Sequence, residues 1–133
     1  MALPPLIPSV VIIGAGNVGC TLGRYLYSRG LTISALVERD GMKLEQARAA
    51  VLASSYNKEL KGIPAQPGAI LLCVQDQKIS VLAERLAAID RNWEGVFVAH
   101  TSGIVASDAL QPLQQRGAVI GSFHPIQSFP SSY

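Results

Sequence analysis

Short apolar runs alternate with helical stripes along the chain. Val10 to Ile13, Ile33 to Val37, Ala69 to Val74, Gly95 to Ala99 and Ala118 to Ser122 are rich in aliphatic residues and lack regular polar alternation. Runs of this kind predict strands covered on both faces. The intervening segments carry apolar residues at helical spacing. Asn17 to Arg29 places Val18, Leu22, Tyr25 and Leu26 on one stripe, with Gly23 close to the sheet and Gly30 as the stop. Met42 to Leu52 turns Leu44, Ala47 and Val51 inward, and Gln77 to Ile89 does the same with Ile79, Leu82, Ala83 and Leu86, behind Asp76 as the expected N-cap. Ser107 to Arg116 predicts a short helix in which Pro112 forces a break or a late start near Gln111. Ser54 to Gly68 has no clear period and leaves room for one more short strand. Repeated strand–helix–strand units of this size predict an α/β domain over residues 1–133, built as a doubly wound parallel sheet that takes ligands outside the carboxyl ends of its strands.

Composition sharpens this picture. Of the 133 residues 49% are hydrophobic and only 15% charged, as a sheet buried on both faces requires. The net charge is +2, and the basic residues are spread from Arg24 to Arg116, so no footprint for nucleic acid or an anionic membrane is present. No apolar run approaches the roughly 20 residues that span a bilayer. The first residues carry Pro4, Pro5 and Pro8 with no basic stretch, unlike a signal peptide. Cys20 and Cys73 have neither metal-ligand spacing nor a disulfide framework; they are expected to be buried thiols of a cytoplasmic protein.

The candidate chemistry starts at Gly14, Gly16 and Gly19, a G-x-G-x-x-G between the first strand and the first helix. Gly14 suits a tight turn, Gly16 lets phosphates approach the backbone, and Gly19 lets the helix sit close. The backbone of Gly14, Ala15, Gly16, Asn17 and Val18 is therefore expected to hold a dinucleotide pyrophosphate at the positive end of the helix. Glu38 ends the second strand nineteen residues after Gly19, near the spacing of a carboxylate that binds an adenosine ribose. Arg39 beside it suits a 2′-phosphate instead, pointing to NADP with NAD left open. Val74 and Gln75 stand at the ligand edge of the Ala69 to Val74 run and are expected at the nicotinamide ribose.

Both histidines fall at carboxyl ends of predicted strands, His100 in His-Thr-Ser-Gly and His124 in His-Pro-Ile-Gln-Ser-Phe. An imidazole there can donate a proton as hydride arrives at a carbonyl or imine. His100, Ser102 and His124 are thus the catalytic candidates, with Thr101 beside the cofactor.

Taken together, Ile13 to Gly19, Glu38-Arg39, Val74 to Asp76, His100 to Gly103 and Gly121 to Phe129 resemble the N-terminal Rossmann domain of a reductase-like family. That family is related to pyrroline-5-carboxylate reductase and to coenzyme-F420-dependent NADP oxidoreductases, within the 6-phosphogluconate dehydrogenase superfamily. The resemblance implies NADP binding, reduction of a small carbonyl or imine substrate, and a helical C-terminal domain that completes the pocket. Glu38 departs from it, since relatives often carry Ser-Arg where this chain has Glu38-Arg39. The chain ends at Tyr133, about where the helical domain would begin, so the expectation is a nucleotide-binding half that binds cofactor with little turnover. Its uncovered Phe123, Ile126 and Phe129 would favour a homo-oligomer. The rival readings are a non-catalytic dinucleotide sensor presented to a partner protein, and FAD or an S-adenosylmethionine-type ligand on the same turn.

Overall fold

A computed structural model describes residues 9–65 and 67–122. Six parallel strands form one sheet: β1 (Val10–Ile13), β2 (Ile33–Val37), β3 (Tyr56–Asn57), β4 (Ala69–Leu72), β5 (Phe97–His100) and β6 (Val119–Ser122). They lie in the order β3-β2-β1-β4-β5-β6. The chain first winds outward from β1 to β3, then crosses to β4 on the other side of β1 and winds the opposite way. Neighbouring connections therefore diverge at β1 and β4, which opens a crevice at the carboxyl ends of those strands.

Alternation along each strand divides the core between two helical layers. Val11 and Ile13 of β1 join Ile70 and Leu72 of β4 beneath α3 (Ile79–Ala87) and α4 (Gln111–Gln114), whose Ile79, Ala83, Leu86 and Leu113 are buried against them. Val10 and Ile12 face the other way, under α1 (Asn17–Ser28), together with Leu22 and Leu71. Leu36 continues that face beneath Leu44 and Ala47 of α2 (Gly41–Ala50). Strands buried on both sides need no polar alternation, and β1 and β4 are buried at every position. Edge strand β6 is only partly covered, with Val119 54% exposed.

The doubly wound sheet is as the sequence predicts, including the short strand hidden between Ser54 and Gly68, which is β3. Two local expectations, for α1 and for Asp76, are corrected, while the expected break near Gln111 is found. The stripe of α1 runs through Gly19, Leu22 and Gly23, while Val18 and Tyr25 are exposed at 38% and 52%. At the two glycines the helix backbone itself lies on its neighbours, so the buried side carries little side-chain volume for a periodicity count to register. Asp76 caps no helix: it opens a single 3-10 turn, Asp76–Lys78, and α3 starts after it with no side-chain cap. The last helix is split into a 3-10 turn, Ser107–Leu110, and α4, with Pro112 in the first turn of α4, where its missing N–H breaks no helical bond.

Trp93, which periodicity does not reveal, is 1% exposed and donates its indole N–H to the carbonyl of Ile89 at 3.3 Å. It fills the layer between α3 and β5. Trp93→Ala is expected to lower unfolding free energy by about 3–5 kcal/mol, a large share of a domain's total. Urea unfolding followed by circular dichroism reads that loss; a change below about 1 kcal/mol would remove Trp93 from the core assignment.

Candidate functional site

The turn after β1 is shaped by its glycines in three different ways. Gly14 has φ of +105°, and a Cβ there would meet the Cys73 carbonyl, so the turn itself excludes any side chain. A Cβ on Gly19 would fall on the carbonyl oxygen of Gly14, because the first turn of α1 presses directly on the loop that precedes it. Gly16 differs from both. Its φ of −78° suits any residue, and a Cβ there meets nothing within 4 Å. Nothing in the protein's own packing calls for glycine at this position.

Gly16 is also the N-cap of α1, and no side chain caps that helix. The first intrahelical bond runs from the Cys20 N–H to the Gly16 carbonyl at 3.0 Å, leaving the N–H groups of Asn17, Val18 and Gly19 without helical acceptors. α2 is built differently: the Asp40 carboxylate accepts from the N–H groups of Met42 (2.9 Å) and Lys43 (3.1 Å). Those hydrogen bonds, Lys43 first, hold the Asp40 carboxyl below its ordinary range. The start of α1 is thus a set of exposed donors at a positive helix end.

Glu38 spans the gap between the two turns. One carboxylate oxygen accepts the Ala15 N–H at 2.8 Å and the other the Asp40 N–H at 2.9 Å. Of the residues expected at the pyrophosphate, Ala15 therefore spends its N–H on Glu38, and the open donors belong to Asn17 and Val18. Arg39 is exposed beside this bridge and makes no ion pair among the described residues.

A cleft of about 280 Å³ joins three loops at the carboxyl edge. Gly16, Asn17 and Val18 form one wall, Cys73 to Asp76 follow β4, and Thr101 and Ser102 follow β5. Val74 and Gln75, expected at a nicotinamide ribose, and Thr101, expected beside the cofactor, all line this cleft. A larger groove, about 480 Å³, lies outside α2 and β3 around Arg48 and Tyr56. Four of its charged side chains are paired, Arg48 with Glu45 at 3.5 Å and Lys61 with Glu59 at 3.2 Å, and Lys58 lines it as well.

Of the catalytic candidates, Ser102 lines the cleft and His100 is turned away from it. His100 is fully buried. Its Nδ1 accepts the Ser102 N–H at 3.2 Å, which puts the ring proton on Nε2, 3.1 Å from the Ala106 carbonyl. Both nitrogens are consumed in holding the loop 100–106, so the imidazole faces the interior. Ser102 Oγ accepts from the N–H groups of Ile104 (3.1 Å) and Val105 (3.0 Å), completing the same loop. An end-of-strand position alone cannot distinguish an inward from an outward imidazole, and that is why the sequence favours catalysis here. His124, with Phe123, Ile126 and Phe129, lies outside the described residues. Cys73 offers no nucleophile: burial pushes its thiol up to about 12, against an opposing hydrogen bond from Thr101. Cys20 is raised too, by burial and then by the charge of Glu38.

A family model of the Rossmann-like domain matches residues 3–125. The chain belongs to the Rossmann-like domain family. Solved structures share the fold at low identity. A protein of Bacteroides fragilis described as an NADP oxidoreductase superposes with a TM-score of 0.76 at 23% identity, over 93% of this chain and 46% of that one. Synechocystis arogenate dehydrogenase gives 0.73 at 20%, over 92% and 42%. The prephenate dehydrogenase of A. aeolicus, solved with hydroxyphenyl propionate and NAD+, gives 0.71 at 16%, over 98% and 44%. This Rossmann-like domain thus spans less than half the length of each. No curated protein sequence matches it. Among its described residues no helix is long and apolar enough to cross a membrane.

Two outcomes are expected. Gly16→Val keeps the fold, since its φ and surroundings tolerate a side chain, yet abolishes dinucleotide binding; Gly19→Ala, whose methyl has no room, lowers the melting temperature. Circular dichroism and calorimetric titration separate the two, and unchanged affinity in folded Gly16→Val removes the pyrophosphate from this turn. Cys73 is expected to resist iodoacetamide near neutral pH until the chain is unfolded in urea, because alkylation requires the thiolate. Mass spectrometry of labelled peptides reads this directly.

Proposed function

We propose that the domain binds a nicotinamide dinucleotide and serves as the nucleotide half of a reductase acting on a small carbonyl or imine compound. The observation that carries this reading is Gly16, a glycine that the protein's own packing does not need, at the uncapped start of α1. The missing side chain leaves space over the Asn17 and Val18 N–H groups, which fits a pyrophosphate. Glu38 and Arg39 would hold the adenosine end, and Val74, Gln75 and Thr101 the nicotinamide end. When bound, the cofactor supplies the hydride; the chain supplies orientation and a fixed electrostatic surface. The names of the structural neighbours, one described as an NADP oxidoreductase and one solved with NAD+, support this class of ligand. The sequence resemblance to the pyrroline-5-carboxylate reductase group supports the substrate type.

NADP is the proposed form. The Arg39 guanidinium suits a 2′-phosphate, and the Glu38 oxygens are already bonded to protein N–H groups. Glu38 still places negative charge near the same corner, so it opposes the preference that Arg39 creates. A non-catalytic dinucleotide-binding module is the second reading, and it rests on one observation: with His100 turned inward, no described imidazole faces the cleft.

Titration calorimetry with NADPH, NADH, FAD and S-adenosylmethionine tests the ligand class. Arg39→Ala is expected to weaken NADPH by about 1.5–3 kcal/mol while leaving NADH nearly unchanged. Glu38→Ser is expected to strengthen NADPH relative to NADH and to lower stability by about 1 kcal/mol, because the Ala15 and Asp40 N–H groups lose their acceptor. Equal weakening of both cofactors by Arg39→Ala would make Arg39 a prop for the turn and overturn the NADP assignment.

A further inference from the structure

We propose that Asp76 accepts the paired hydroxyls of the ribose on the nicotinamide side of the bound dinucleotide. The assignment rests on the dinucleotide reading above. Asp76 is exposed, opens the 3-10 turn after β4 and lines the cleft. Its carboxylate has no evident structural duty: among the described residues it accepts no cap hydrogen bond, makes no ion pair and receives no other side-chain bond.

Two features give it this ligand. The first is charge. Asn17, Val18, Cys73, Val74, Gln75, Thr101 and Ser102 make the rest of the side-chain lining neutral, with burial keeping the Cys73 thiol protonated, so Asp76 contributes the single ionised group. In a cleft that opens on exposed N–H donors for an anion, a carboxylate repels the ligand unless it meets a part of it that carries hydroxyls. The second is register. Ile13 of β1 pairs with Leu72 of β4, so Gly16 and Asp76 lie three and four residues beyond adjacent strand ends, strands separated by about 4.8 Å. A pyrophosphate on Asn17 and Val18 therefore has its next sugar, one ester linkage away, on the side of the β4 loop. A vicinal diol presents two donors to the two oxygens of one carboxylate.

The test compares ligands that include that sugar with ligands that stop before it. ADP ends at the pyrophosphate; ADP-ribose adds the second ribose without nicotinamide. Each is titrated with and without a 2′-phosphate, beside NADH and NADPH, into the wild-type chain, Asp76→Ala and Asp76→Asn. Asp76→Ala is expected to weaken ADP-ribose and both dinucleotides about tenfold or more while leaving ADP unchanged or slightly tighter. Asp76→Asn, which keeps one acceptor, is expected to fall between. Thermal unfolding should hardly change, since the side chain is exposed. Unaltered ADP-ribose affinity in Asp76→Ala overturns the proposal and leaves the carboxylate for a cationic substrate or for solvent. Equal weakening of ADP and ADP-ribose overturns it as well, making Asp76 a support of the phosphate cradle. A wild-type chain that binds none of these ligands overturns the dinucleotide reading itself, and the Asp76 assignment with it.

Discussion

The closeness of α1 to the turn after β1 governs the site. A Cβ on Gly19 would strike the Gly14 carbonyl, so the helix can start where it does only because that side chain is missing. The contact carries the first turn of α1, with its unpaired N–H groups, over the carboxyl ends of β1 and β4. Glu38 then fixes the loop from the other side by accepting the Ala15 N–H, tying the turn to the end of β2. The open donors at this edge are backbone N–H groups, whose positions are fixed by the sheet and the helix start.

The sheet places the site by its topology. β1 lies between β2 and β4, and the chain leaves the first half of the sheet after β3 to begin the second at β4. The helices that follow β1 and β4 lie on opposite faces, so no helix closes the space between the two strand ends. The cleft forms there, and its walls are the residues immediately beyond β1, β4 and β5. The loop after β5 keeps its shape through His100 and Ser102, whose polar atoms all turn to backbone groups within residues 102–106. A buried imidazole with both nitrogens satisfied is a stable brace for such a loop, because losing either partner would strand a polar group in the core.

Different parts of this arrangement were legible to different degrees. β1 and β4, wholly buried, read as continuous apolar runs; β3, two residues long and half-buried, left only an irregular stretch between Ser54 and Gly68. The glycine pattern at Gly14, Gly16 and Gly19 located the turn. It did not divide the roles: Gly14 and Gly19 serve the protein's own packing, and Gly16 alone faces open space. Trp93 gave no periodic signal because it lies in a connection, beyond α3, yet it is among the largest fully buried side chains.

The sequence by itself determined the alternation of strands and helices, the parallel doubly wound sheet and the glycine turn at its carboxyl edge, because these follow from local periodicity and from glycine at a strand–helix junction. Tertiary structure alone decided what each polar group at that edge faces. His100 ends β5 and Asp76 lies beyond β4, the one expected as a catalytic group and the other as a helix cap; folding turned the imidazole into the interior against Ala106 and Ser102 and left the carboxylate in the cleft. Hydrogen bonding explains the difference. A side chain at a strand end goes to whichever backbone donors and acceptors the neighbouring loop presents, and those belong to residues whose positions no local pattern specifies.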